Sequence, residues 1–399
     1  MGKSTMRALV SCLVLLSCTS PAETEQTDAI ETTADPGRLA LIDSSGDIVV
    51  IDPDGSDREE ITTDAGDEAL YTQPIWSPDA STLAWGQVTP DGFAVGIEQP
   101  GTGETTTIPT PNLPYYMSWS PNGRDLGILH NGMGGIDFRM VDVEQGTITT
   151  VDQDAPFYFS WSPAGDRVVT HAGADRVETI APDGDRVRLE PTAPTYLAPQ
   201  WTTSGVFHVV DDELIIEDEN GERAPVANVS GPTMFVSNPQ GTKVALQVSG
   251  DGSAISVSLA AAPTVLTRSV VVVDVGTGEV EVASDDLALG FFWSPDGESL
   301  LVLTITSDGV VPMIWTGQAE PVGYPAYRPP GTMLQDTFPF FPQYAQSVGF
   351  WAPNSSAFAY AGEVGGDRGI WIQELDQDTP RRVADGIWLA WSSSRPRPD

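Results

Sequence analysis

Trp76-Ser77-Pro78-Asp79, Trp119-Ser120-Pro121-Asn122-Gly123, Trp161-Ser162-Pro163-Ala164-Gly165 and Trp293-Ser294-Pro295-Asp296-Gly297 are four copies of one phrase, an aromatic residue running into a proline turn. Looser copies stand at Trp201-Thr202-Thr203-Ser204-Gly205, Ser237-Asn238-Pro239-Gln240-Gly241, Trp351-Ala352-Pro353-Asn354 and Trp391-Ser392-Ser393. Seven intervals span the 315 residues from Trp76 to Trp391, a mean of 45. A period of that size marks an architecture in which each unit buries its apolar face only against its neighbours. Proline presets φ for a tight turn, and the Gly or Asn that follows tolerates left-handed backbone.

Each copy sits in the same local grammar. A short aromatic run precedes it, as in Tyr115-Tyr116-Met117 or Phe157-Tyr158-Phe159, and reads as a first strand. A second strand follows the turn, as at Leu126–Leu129, Val168–Thr170 and Leu300–Leu303. Third strands rich in β-branched residues, such as Val270–Val273 and Ile370–Ile372, lead through Gly turns to a more polar fourth, as at Thr147–Val151. Four short antiparallel strands per unit make a propeller blade. Residues 38–64 contain second, third and fourth strands without a first, whereas 387–392 (Ile-Trp-Leu-Ala-Trp-Ser) form a first strand with little after it. Joining the two closes the ring and removes exposed sheet edges. The expectation is an all-β chain forming one propeller over 38–393, of eight four-stranded blades, or seven if one degenerate copy is misread.

These phrases resemble the WD40-like, TolB-type (PD40) propeller repeat, whose hallmark is Trp-Ser-Pro-Asp-Gly followed by an apolar strand. The resemblance covers roughly residues 38–392 and implies a propeller. It does not imply a Tol system. The repeated tryptophans are then core or inter-blade packing residues.

The N-terminus carries an address. Lys3 and Arg7 form a basic start, Ala8 to Leu16 an apolar stretch too short to span a membrane, and Leu15-Leu16-Ser17-Cys18 resembles a bacterial lipobox. Residues 1–17 are read as a signal peptide and Cys18 as the lipidated N-terminus of the mature chain. Two acyl chains on that residue suffice for stable anchoring. Residues 18–37, polar and acidic, read as a disordered tether, and 394–399 as a tail. The expected location is the cell membrane or outer membrane, lipid-anchored and facing the periplasm or exterior. Acidic residues number 56 against 19 basic, a formal charge of −37. Such a surface repels phosphate backbones, which excludes a nucleic-acid partner without a local basic patch.

There is no Gly-x-Ser-x-Gly elbow, phosphate loop or zinc-binding His pair, so no catalytic or metal residue is assigned. His130, His171 and His208 fall near the ends of second strands, at non-equivalent offsets. Acid-rich turns such as Asp52-Pro53-Asp54-Gly55-Ser56-Asp57 and Asp183-Gly184-Asp185 lack the six to eight oxygens calcium needs. No cofactor is expected, calcium being the alternative. Two insertions break the period. Residues 250–268 lengthen a connection between second and third strands. Residues 318–347 hold Tyr324, Tyr327, Arg328, Phe338, Phe340, Phe341 and Tyr344 among six prolines. A loop this long is usually functional or disordered, and so many aromatics argue against simple disorder. Its aromatics either pack down to seal the ring or anchor a ligand, and they are the candidate binding residues. The expected function is an envelope-anchored, monomeric, non-catalytic binding or scaffold propeller for a protein, peptide or glycan partner. The alternative is a propeller hydrolase or lyase with an acidic, calcium-dependent site at the central channel.

Overall fold

The computed structural model describes residues 36–66, 69–181, 184–189, 198–230, 233–248, 254–257, 264–266, 270–318 and 320–393. The expected signal segment, Cys18, Asp183 and the tail from 394 lie outside the described residues.

Eight antiparallel sheets are arranged as the repeat predicts. Blade 2 shows the pattern: inner strand Leu70–Trp76, then Leu83–Thr89, Gly92–Glu98 and outer strand Thr105–Thr110, each paired with the next. Blades 3 to 7 begin at Pro114–Trp119, Phe157–Trp161, Gln200–Thr202, Thr233–Ser237 and Ala288–Trp293. Blade 1 is shared between the chain ends. Trp388–Trp391 pairs antiparallel with Leu39–Ile42, from Leu39 opposite Trp391 to Ile42 opposite Trp388. Ile48–Ile51 and Glu59–Glu60 complete the blade. Leu39–Ile42, Ile48–Ile51 and Trp388–Trp391 are buried at every position. Strands covered on both faces read as continuous apolar runs, not alternating ones, which is why LALI, IVVI and WLAW carry no polar residue.

Two units depart from four strands. In blade 8 the strands Ala357–Val364, Asp367–Glu374 and Arg381–Ala384 are regular, but the inner position is reduced to a single bridge between Trp351 and Phe358. The 250–268 insertion does more than lengthen a connection. Its Ala254–Val257 and Thr264–Leu266 add to the outer strand Arg223–Ser230 of the preceding unit, so blade 5 has six strands.

The repeated phrase does two jobs. Within the turn, Ser120, Ser162 and Ser294 Oγ accept the backbone N–H of Asp125, Arg167 and Ser299 at 3.0, 3.1 and 2.9 Å. Gly123, Gly165 and Gly297 close it with φ of 72, 70 and 74°, and Ala80 and Ser355 take the same left-handed position at 57 and 61°. Between blades, five of the repeated indole N–H groups reach back to the previous inner strand. Trp76 Nε1 donates to Ala390 O at 3.2 Å, Trp119 to Ile75 O at 3.4 Å, Trp161 to Ser118 O at 3.2 Å, Trp293 to Val236 O at 3.0 Å and Trp351 to Phe292 O at 3.0 Å. The acceptor is always the residue before the equivalent Trp, or before Ser237 where blade 6 lacks one. At blades 5 to 7, glutamines make the link. Gln200 binds Phe235 O at 2.9 Å and Ser237 N–H at 2.8 Å, and Gln247 binds Ala288 O at 3.1 Å and its N–H at 2.8 Å. A buried amide side chain supplies both donor and acceptor, so it satisfies a strand's backbone as a neighbouring strand would.

Candidate functional site: the plugged channel and its mouth

Inner strands all run the same way, so their first residues share one face of the ring and their proline turns the other. The long insertion enters from the first face. Tyr327 exchanges both backbone hydrogen bonds with Val310 at 2.8 and 2.9 Å, and Arg328 does so with Glu363 at 3.0 Å, which straps blade 7 to blade 8. Tyr324 Oη donates to Leu375 O at 3.0 Å, and the Tyr327 ring lies 4.3 Å from that of Tyr360.

Three short helical turns follow: Met333–Thr337, Phe338–Phe340 and Phe341–Tyr344. Phe341 packs edge-on against Phe291 and Phe292, at 4.8 and 5.4 Å between ring centres. The room for that ring comes from Gly290, where a Cβ would meet it at 2.8 Å. Two residues on, Gln343 accepts the N–H of Phe159 at 3.0 Å and donates to its carbonyl at 2.8 Å. Phe291 belongs to blade 7 and Phe159 to blade 4, so one four-residue turn spans the centre of the ring. The insertion is a plug.

Tyr344 latches the plug to blades 2 and 3. Its hydroxyl donates to Tyr115 O and accepts from Gln73 Nε2 at 2.9 Å, while Gln73 also donates to Tyr115 O at 2.7 Å. Gln73 presents its amide from a left-handed backbone, φ 50°, at an irregularity in its strand. Burial pushes the phenols of Tyr327 and Tyr344 well above the ordinary tyrosine range, keeping both neutral. Below the plug, Gly349 O accepts from Trp391 N and Phe350 O from Ala359 N, both at 2.8 Å, so the descending chain stands in for the missing inner strand.

The plug leaves a cavity of about 670 Å³ open on its entry face. Blades 1 to 4 contribute Leu70, Tyr71, Gln73, Tyr115, Asn131, Phe157, Tyr158, Ile387 and Trp388, and the plug contributes Thr332, Asp336, Phe340, Gln343 and Tyr344. Leu70, Phe340 and Ile387 are large apolar side chains 56, 48 and 42% exposed there. Among the described residues, Asp336 is the one carboxylate of the lining, with no His, Cys, Ser, Lys or Arg beside it. A second recess of about 700 Å³ adjoins it, sharing Thr332 and Ile387, and is flanked by Arg328, Glu363 and Arg368. The opposite mouth is smaller, about 310 Å³, and is lined by Trp293, Pro295, Phe350, Trp391 and Ser393.

The structure therefore divides the seven candidate residues. Tyr324, Tyr327, Phe338, Phe341 and Tyr344 are buried, Tyr344 also lining the apolar cavity, whereas Phe340 and Arg328 are exposed, one in each recess. Gln73, Tyr115, Tyr158, Gln343 and Trp388 were not among the candidates. The signal was present in the aromatic run before each proline turn, because the first residues of an inner strand open onto the channel mouth.

The other sequence candidates lie elsewhere. The three histidines are buried in second strands of blades 3, 4 and 5. His130 Nδ1 lies 3.0 Å from Asn131 O, and His208 Nε2 lies 3.3 Å from Glu217, itself held by Arg223 at 2.8 Å. Burial lowers the His208 imidazole below its usual range, although Glu217 pulls the other way. Among the described residues, no group of three or more His, Cys, Asp or Glu is placed to hold a metal ion. In the 52–57 turn, hydrogen bonds from the Ser56 side chain and from its backbone N–H, the latter at 2.8 Å, lower the Asp54 carboxyl, and Asp52 pairs with Arg38 at 3.3 Å.

No protein-family model matches the chain, and no curated protein sequence matches it. Solved structures are similar in fold. That of the eukaryotic initiation factor has 12% identity and a TM-score of 0.57, covering 91% of this chain and 100% of that one. Oligogalacturonate lyase in complex with manganese has 12% identity and a TM-score of 0.53, covering 86% and 99%. TolB from Acinetobacter baumannii has 16% identity and a TM-score of 0.42 over 72% of this chain, which spans 63% of the TolB structure. At these identities the likeness is one of fold alone, a β-propeller, and a fold hosts many functions.

Proposed function

We propose that this chain is an exported, Cys18-anchored propeller of the cell envelope that binds a partner at the plugged channel mouth without turning it over. The observation that carries this reading is the lining of the 670 Å³ cavity, where aromatic and aliphatic side chains surround a few amides and one carboxylate. A concave apolar site with a few convergent polar groups is what ligand recognition needs. Acid–base catalysis needs titratable groups in reach of one another; Asp336 is the one carboxylate among the described lining residues, and burial holds the Tyr344 phenol that feels its charge neutral. The plug supports the reading too. It fills the channel through which a deep site would be reached, and its own Phe340 is presented outward.

Titration of the full chain with the neutral apolar dye Nile red tests this. Leu70→Asp places a charge on a side chain already 56% exposed, so folding is expected to be unchanged while dye affinity falls at least tenfold. Equal affinity in the variant would contradict the proposed site. The address is read separately, by whether Cys18→Ala removes the chain from the membrane fraction.

A further inference from the structure

Resting on that reading of the mouth, we propose that its partner is a peptide segment ending in an apolar residue with a free α-carboxylate. The apolar side chain enters the aromatic cavity, and the carboxylate lies in the adjoining recess against Arg328 and Arg368.

The chain is formally −37, so an anion approaches against the field of the whole molecule and binds only where cations are locally exposed. Most of the ion-paired arginines are tied to carboxylates of their own blade. Arg176 and Arg186, 24 and 35% exposed, both grip Asp152 across the seam of blades 3 and 4, at 2.5 and 2.8 Å. Arg328 and Arg368 differ. Their side chains are 73 and 87% exposed, the highest of the ion-paired arginines among the described residues. Both meet one carboxylate, Glu363, from opposite oxygens, at 3.4 and 3.1 Å. Two guanidiniums on one carboxylate leave a net positive charge and most of their N–H donors directed to solvent. Arg382 stands behind them, donating to Arg368 O at 2.7 Å, and is itself paired with Asp385.

The cationic recess and the apolar cavity share Thr332 and Ile387, so one ligand can occupy both. Asp336 lines the apolar side only, which disfavours an anion there and directs the charged end toward the arginines. Gln73, Asn131, Thr332 and Gln335 border the two recesses with groups that can meet peptide backbone, a provision an alkyl chain would not use. Capture of a terminal carboxylate beside an apolar pocket is a recurrent mode of peptide recognition.

The test uses full-length protein with two probes, acetyl-Gly-Leu-Leu-Phe bearing a free carboxylate and the same peptide as its C-terminal amide. The acid is expected to bind at least tenfold more tightly. The double variant Arg328→Gln, Arg368→Gln is expected to erase that difference while leaving the amide's affinity and the melting temperature unchanged. Equal binding of acid and amide to the wild-type chain would overturn the carboxylate assignment, and the mouth would still stand if Leu70→Asp weakened both. Decanoate binding more tightly than the peptide acid would overturn the peptide in favour of a lipid anion. Loss of neither peptide in Leu70→Asp would remove the mouth itself.

Discussion

Gly297 and Gly123 hold the same place in the repeated turn, with φ of 74 and 72°, yet their surroundings differ. A Cβ at Gly123 would find Pro78 Cδ no nearer than 4.0 Å, whereas one at Gly297 would meet Gln240 Oε1 at 2.0 Å. Left-handed backbone costs a non-glycine residue about 1–2 kcal/mol. Gly123→Ala is therefore expected to lose about 1 kcal/mol, and Gly297→Ala about 2–4 kcal/mol once overpacking is added. Denaturant unfolding checks the pair, and equal losses would mean that the turn's neighbours are free to move aside. Here the sequence was legible. The Trp-Ser-Pro phrase announces its turn because proline, serine and glycine each act on backbone within five residues. The glutamine clamps were not legible, since Gln200 and Gln247 work on strands 35 and 41 residues away, and a lone glutamine has no local signature.

The plug shows the same limit at the scale of an element. Aromatics and prolines in 318–347 mark a loop that must either pack or bind, and the structure divides it between the two. Short helical turns of this kind have no hydrophobic periodicity to betray them, and nothing in the segment names Phe159 or Tyr115 as its partners. Gln343 carries the consequence. Its side chain is 2% exposed and satisfies both backbone groups of Phe159. Each buried group left unpaired costs about 1–3 kcal/mol. Gln343→Ala is expected to lower stability by about 2–5 kcal/mol in denaturant unfolding. A loss below about 1 kcal/mol would show the plug to be loosely seated. Replacement of blade 8's inner strand was equally hidden, because Trp351-Ala352-Pro353-Asn354 keeps the phrase although only one bridge of the strand remains. By contrast, the incomplete units at the two ends predicted their own pairing, since neither could cover its edge alone.

At the scale of the whole molecule, the ring is closed by Leu39–Ile42 and Trp388–Trp391 and tightened by ion pairs across its seams. Asp152 is the clearest of these. Burial alone would raise its carboxyl, but hydrogen bonds from Arg176 and Arg186 outweigh that and hold it below the usual range. The ring's two faces are not alike: one presents the 670 Å³ apolar mouth beside exposed arginines, the other a recess of about 310 Å³ lined by the proline turns. The functional account assigns binding to the first. The most direct test sets Phe340→Asp, on the entry face, beside Ser393→Asp, on the opposite mouth, and compares their dissociation constants for the free-carboxylate peptide by calorimetry. The account predicts at least a tenfold loss in Phe340→Asp and wild-type affinity in Ser393→Asp. The reverse pattern, or no change in either, would contradict it.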